Sequence, residues 1–107
     1  MPFGMRKLAI EIARFVDDDF PGWVECQFAD ADGRQHTLVD KVPIFSVEPL
    51  DADTRYPLPG FARCEALEQW RDAGGRELAR ISTASPDGIE SADGLAEFVV
   101  LSSQLDA

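Results

Sequence analysis

Apolar and polar residues alternate along most of the chain, which is the pattern of strands that bury one face. The first alternating run covers residues 7–16, and the second covers Trp23–Ala29. A third run, Gln35–Val42, follows a short turn in which Gly33 can take a positive φ. The pattern therefore predicts a strand followed by a β-hairpin, and Pro43 is expected to end or bend the third strand.

The middle of the chain gives mixed signals. Residues 44–47 are predicted either to continue the third strand or to form a short strand of their own. Residues 48–60 contain three prolines and are predicted to form the longest loop. The composition of residues 61–73 favours a helix that would stop at the glycine pair after it.

A short stretch of sequence occurs twice in the chain, and this internal echo changes the interpretation of residues 61–73. Asp72–Arg76 matches Asp30–Arg34 at four of five positions, and a strand-like run follows each segment. The echo indicates two related hairpins, so we predict a strand at 61–73. The alternative is a helix at 61–73, which would make the fold α+β rather than all-β.

The last third of the chain again shows strand patterns separated by turn residues. Strands are predicted at Glu77–Thr83 and Leu95–Leu101, and the second is expected to be central because it is almost continuously apolar. The tail Ser102–Ala107 is expected to fray. About six or seven short strands predict an all-β fold, a small antiparallel barrel or sandwich built from hairpins, in one domain spanning 1–107.

The excess of acidic residues limits the classes of partner that the protein could bind. The 107 residues include 20 acidic and 10 basic side chains, and the formal net charge is -10. Residues 17–54 hold ten of the acids and only two bases. Nucleic acid and anionic membranes are therefore not expected as partners, because both require clustered Lys and Arg. The same acidic surface would attract a basic protein.

Cys26 and Cys64 are the two cysteines, and each lies among apolar residues. We predict buried, reduced thiols, although the sequence leaves a disulfide between them open. Glu11 and Arg14 interrupt the apolar run that a secretion signal needs, and no segment has the roughly 20 apolar residues of a membrane span. These features predict a cytoplasmic protein.

Signals for catalysis or metal binding are weak. His36 is the one side chain with an ordinary pKa near neutrality, but a histidine just after a turn is usually a cross-strand partner or a partly exposed spacer. The turn at residues 30–33 resembles the start of a calcium loop, whose last ligand would fall on Lys41 instead of Glu. We predict no metal, no cofactor and no catalytic residue, so an enzyme is not the favoured interpretation.

Binding residues are more plausible in two loops. Asp17-Asp18-Asp19 follows the first strand, and the proline-rich loop 48–60 offers residue types that are common at interfaces. The candidate binding residues are Asp17, Asp18, Asp19, Asp51, Asp53, Arg55 and Tyr56.

Several segments together resemble small uncharacterised single-domain bacterial proteins. These segments are Asp30–Arg34 with Asp40–Pro43, then Gly88–Ser91 and Gly94–Val100, and the resemblance spans about residues 8–101. It implies an independent cytosolic domain rich in strands and transfers no catalytic residue. Bacterial immunity proteins are similar in size and charge.

Three functions fit these observations. The first is a binding module that engages a basic protein through the acidic surface of 17–54 and the loop 48–60. The second is a small-molecule site or a minor enzyme in the mouth of a β-barrel, with His36, Arg55 or Tyr56 at its rim. The third is a structural subunit of a homo-oligomer that buries an edge strand.

Overall fold

The computed structural model describes residues 4–106, which form an antiparallel sheet of seven strands. The sheet curls into a half-barrel around an apolar core, which confirms the all-β class. The strands are β1 (Gly4–Asp17), β2 (Trp23–Ala29), β3 (Gln35–Lys41), β4 (Leu58–Arg71), β5 (Glu77–Ser82), β6 (Glu97–Leu101) and β7 (Leu105–Asp106). A one-turn helix, α1 (Val42–Phe45), follows β3, and a 3₁₀ turn at Ser102–Gln104 precedes β7.

β1 and β4 are the long central strands of a sheet whose order is β3-β2-β1-β4-β5-β6, with β7 added beside β1. Their pairing runs from Gly4 opposite Ala66 to Ile12 opposite Leu58. Both strands bury alternate side chains, namely Leu8, Ile10 and Ile12 in β1 and Ala62, Cys64 and Ala66 in β4. The strand expected at 61–73 therefore forms as far as Arg71. The helix alternative is wrong, because burial of one strand face outweighs propensity differences below about 1 kcal/mol per residue.

The two turns with similar sequences, Asp30–Arg34 and Asp72–Arg76, have the same hydrogen-bond pattern. In each turn the N–H of the aspartate donates to the carbonyl of the arginine over 2.9 Å. The glycine at the fourth position has φ +84° in the first turn and +86° in the second, a region that glycine enters without strain. The sequence echo thus correctly indicated two related hairpins, and Arg76 Nη1 joins the turns by donating to the Ala31 carbonyl over 2.9 Å.

Residues 42–45 form α1, so the strand expected at 44–47 is wrong. Pro43 lies in the first turn of this helix, where its missing N–H costs nothing. The N–H of Ser46 donates to the Val42 carbonyl over 3.0 Å and closes the turn. Val42 and Phe45 are both buried, and a helical turn places positions three apart on one face, whereas a strand would place them on opposite faces.

The apolar strand β6 lies at the edge of the sheet, so the expectation that it is central is wrong. Other parts of the chain cover it instead of a further strand. The Val99 carbonyl accepts a hydrogen bond from the N–H of Ala31 over 2.8 Å. On the opposite edge, Ser91 forms an isolated bridge with Leu38 of β3. At these points the edges of β3 and β6 already have partners within the chain, which leaves fewer free backbone groups there for pairing with a strand of a second copy.

The expected fraying of the tail is also wrong for residues 102–106, and Ala107 lies outside the described residues. Gln104 fastens this segment, because its Oε1 accepts from the N–H of Leu101 over 2.8 Å. Its Nε2 donates to the Ala29 carbonyl, also over 2.8 Å. β7 then pairs with Lys7 and Leu8 of β1. One amide side chain thus links the tail to β2 and β6.

The two cysteines are free and buried in the core, as expected from their apolar neighbours. Burial raises the pKa of the Cys26 thiol to about 12, and the charge of Glu25 acts in the same direction. Burial raises the pKa of the Cys64 thiol to about 11, against a smaller opposing effect of Arg6. Both thiols therefore stay protonated in the folded protein well above their ordinary pKa of 9.0.

These thiols predict a loss of stability at high pH. As the pH rises above 9.0, the unfolded chain releases thiol protons that the folded chain retains until about 11 for Cys64 and about 12 for Cys26. Each thiol should then lower the free energy of unfolding by about 1.4 kcal/mol per pH unit. Urea denaturation from pH 8 to pH 11 measures this slope. The double variant Cys26→Ala/Cys64→Ala is the control and should lose the thiol part of the slope; an identical slope in the variant would contradict the prediction.

Candidate functional site

A cleft of about 390 Å³ lies at the end of the half-barrel where β1 runs into β2. It separates the β1–β2 turn from the loop between α1 and β4. Its lining consists of Phe15, Asp18, Phe20, Pro21, Gly22, Leu50, Asp51, Ala52 and Asp53. We call this feature the acidic cleft. Its volume falls within the range of about 300–1,000 Å³ that is typical of ligand pockets.

The β1–β2 turn forms one wall of the cleft and is fixed by local hydrogen bonds. The Asp17 carboxylate accepts the N–H of Asp19 over 2.8 Å. The Asp19 carbonyl accepts the N–H of Gly22 over 2.7 Å. Gly22 has φ +91°, and a Cβ there would lie 2.9 Å from the ring of Phe15, so glycine permits both the turn and this close packing. The turn leaves the side chain of Phe20 88% exposed.

The opposite wall is a loop that is tied together around Asp51. The Asp51 carboxylate accepts the N–H of Asp53 over 2.9 Å and the hydroxyl of Thr54 over 3.3 Å. The Tyr56 hydroxyl donates to the Asp51 carbonyl over 2.7 Å, while its ring packs against the core. Burial and the charge of Asp51 raise the pKa of Tyr56, against a hydrogen bond with Thr54 that lowers it. These bonds hold Asp51 and Asp53 at the rim.

Ion pairs elsewhere in the molecule use most of its arginines. Six arginines form ion pairs, namely Arg14 with Glu25, Arg34 with Asp93, Arg63 with Asp87, Arg71 with Glu77, Arg76 with Asp72, and Arg80 with Glu68 and Glu97. Within residues 4–106, the carboxylates of 17–19 and those of Asp51 and Asp53 have no such partner. The negative charge at the cleft is therefore not neutralised by the chain itself.

The structure brings together three of the seven candidate binding residues. Asp18, Asp51 and Asp53 line the cleft, although they come from two loops that are distant in sequence. Asp17 and Asp19 belong to the same turn without lining the cleft, and Asp17 helps to shape it. The remaining two candidates lie outside the lining: Arg55 is exposed, and Tyr56 braces its own loop.

Sequence reasoning did not single out Phe20 as a site residue. A signal was present, because this phenylalanine stands outside the alternating runs, between three aspartates and a Pro-Gly pair. Such a position suits a surface aromatic better than a core residue. The exposed ring supplies an apolar, polarisable surface next to Asp18.

His36 is buried and is not a partly exposed spacer. It does have a cross-strand partner, Phe28, and its ring also contacts Phe98. Its Nε2 lies 2.8 Å from the Asp30 carboxylate, while its Nδ1 has no hydrogen-bond partner within the described residues. Burial alone would raise the pKa of Asp30, but hydrogen bonds from His36 and from backbone N–H groups lower it. His36 therefore stabilises the hairpin turn and lies outside the cleft lining.

A second concavity of about 510 Å³ lies where β2 separates from β1, between residues 9–11 and 27–29. Gln35, Gln104 and residues 57–59 complete its lining. The three residues expected at the rim of a small-molecule site, namely His36, Arg55 and Tyr56, do not line it. Within the described part of the chain, His, Cys, Asp and Glu side chains form no group of three or more that could hold a metal ion.

Comparisons with known proteins do not assign this fold or this cleft to a family. The chain matches no protein-family model, no curated protein and no solved structure. Among residues 4–106, no helix has the length and apolar character needed to cross a membrane. The interpretation of the acidic cleft therefore depends on its own geometry and charge.

Proposed function

We propose that this protein is a binding module that engages a basic protein partner through the acidic cleft. The observation that carries the proposal is the convergence of Asp18, Asp51 and Asp53 from two loops. They surround apolar side chains, which we call the floor of the cleft: Phe15, Pro21 and Leu50. The chain supplies no cation of its own to these carboxylates within the described residues. A partner that brings Lys or Arg would gain attraction without first breaking an internal ion pair.

The rigidity of the two walls supports the same function. Hydrogen bonds within each loop fix its backbone and the carboxylate of Asp51 before a partner arrives, so binding orders fewer additional groups and loses less conformational entropy. The formal net charge of -10 would also speed the approach of a basic partner. We place this interaction in the cytoplasm, since the two free thiols suit a reducing compartment.

The test is capture of partners by the immobilised protein from a cell lysate, followed by calorimetry with each captured protein. The unmodified protein should retain basic proteins at low salt and release them at high salt. The variant Asp18→Asn/Asp51→Asn/Asp53→Asn should bind them about threefold more weakly or worse, since exposed charge pairs contribute about 0.2–1 kcal/mol each.

A matched control separates the cleft from the total charge. The variant Glu11→Gln/Glu65→Gln/Glu90→Gln removes the same charge from exposed side chains that do not line the cleft. It should bind the captured proteins much as the unmodified protein does. Equal weakening by both variants, or capture that ignores salt, would refute a function located in the cleft.

A further inference from the structure

We propose that the acidic cleft selects arginine over lysine in its partner, with the guanidinium stacked on the exposed ring of Phe20. This inference rests on the proposed function and specifies the chemistry of the ligand. It follows from three properties of the cleft: an exposed ring, an apolar floor and two free carboxylates.

The ring of Phe20 is the most exposed aromatic surface among the described residues, and none of them places a cation over it. Lys7 Nζ lies 4.9 Å from the ring centre of Phe61, and Lys41 Nζ lies 5.7 Å from the ring centre of Trp23. No Lys or Arg within residues 4–106 takes such a position over Phe20, whose side chain is 88% exposed. The face of this ring is thus available to a cation from another molecule.

The floor of the cleft favours a weakly hydrated cation. Phe15, Pro21 and Leu50 contribute to its lining and offer few groups that could replace lost water. A lysine ammonium is compact and strongly hydrated, whereas a guanidinium is flat, holds its water less tightly and stacks on aromatic faces. An arginine therefore enters this environment at a lower desolvation cost than a lysine.

The carboxylates of the cleft also favour arginine over lysine. Asp51 already accepts the N–H of Asp53 and the hydroxyl of Thr54, so part of its capacity is used. The side chains of Asp18 and Asp53 line the cleft and form no ion pair with the described residues. A guanidinium carries five N–H donors in one plane, so it can donate to such oxygens while its face rests on Phe20.

The test compares two fluorescently labelled Gly-Ser peptides of equal length, one with four arginines and one with four lysines, by anisotropy at low salt. The unmodified protein should bind the arginine peptide about three- to tenfold more tightly, the range expected of a partly exposed cation–π contact. Phe20→Leu should reduce binding of the arginine peptide toward the level of the lysine peptide, and it should weaken binding of the lysine peptide much less. Trp70→Leu, which removes another exposed aromatic ring, should alter neither affinity.

The two peptides and the protein variants together distinguish failure of this inference from failure of the proposed function. Equal affinities for the two peptides, or equal losses with Phe20→Leu, overturn selection of arginine. If Asp18→Asn/Asp53→Asn weakens both peptides in that case, the basic-partner function still stands. If those substitutions weaken neither peptide, both proposals are overturned.

Discussion

Replacement of Phe45 with alanine should lower the free energy of unfolding by about 3–5 kcal/mol. Phe45 is the largest fully buried side chain among the described residues, and it anchors α1 in the core. Alanine would remove the apolar contacts of the ring and leave a cavity between elements whose backbones cannot fully close around it. Urea denaturation, with the midpoint and the slope measured separately, tests this expectation.

Val47 provides the control for Phe45, since it lies two residues further along the chain. Its side chain is 86% exposed, so Val47→Ala should change the free energy of unfolding by no more than about 0.5 kcal/mol. Comparable effects of the two substitutions would show that α1 is not packed as described. A loss below about 1 kcal/mol for Phe45→Ala would lead to the same conclusion, because core truncations of this size cost more.

Gly60→Ala should lower the free energy of unfolding by about 1–3 kcal/mol, the cost typical of an overfilled core. A Cβ at Gly60 would lie 2.6 Å from Cδ1 of Ile12 and 2.8 Å from the carbonyl oxygen of Phe45. The isoleucine could rotate, but the carbonyl belongs to the backbone of α1 and can move only with the helix. The missing side chain therefore allows α1 to approach β4.

Gly74→Ala is the matched control for Gly60→Ala. A Cβ at Gly74 would meet no atom closer than 3.5 Å, and the residue does not have a positive φ. We expect a change within about 0.5 kcal/mol, with slight stabilisation as the more favourable result, because alanine restricts the unfolded chain. Thermal melting of both variants beside the unmodified protein gives the comparison; equal melting temperatures for all three would contradict the described packing at Gly60.

The alternation of apolar and polar residues was sufficient to predict most of the sheet. Leu8, Ile10 and Ile12 specify a buried face with a period of two, and the same period recurs in β2 and β4. At 61–73 local propensity favoured a helix, and only the echo between the two turns indicated a strand. Tertiary packing determines that segment, which is why propensity alone would have misassigned it.

Two of the errors share a physical cause, which is contact with parts of the chain that are distant in sequence. Apolar residues in β6 suggested a central strand, yet a loop contact at Ala31 covers its edge. The tail lacks an apolar run, yet Gln104 fastens it through two side-chain hydrogen bonds. Neither contact leaves a periodic signal in the sequence.

The two walls of the candidate site could be predicted from the sequence, but their approach to each other could not. Clusters of aspartate and a proline-rich loop identified the two walls separately, but their approach depends on how β1, α1 and β4 pack. The sequence did not identify Phe20 as a site residue, because its proposed role depends on the exposure of its ring. Sequence patterns indicate exposed apolar residues less well than buried ones.

The distribution of charge also turns the molecule into an electric dipole. β1 and β4 each span 14 residues, and the longest dimension of the molecule is 45 Å. The aspartates of the cleft and of the β1–β2 turn lie at one end of this axis without an ion-pair partner among the described residues, whereas Arg71 and Arg76 near the other end are balanced by Glu77 and Asp72. The two ends are separated by several times the screening length of about 8 Å at physiological ionic strength, so a charged partner senses them as distinct. An approaching cation would therefore exert a torque that rotates the cleft end toward it before the two surfaces touch.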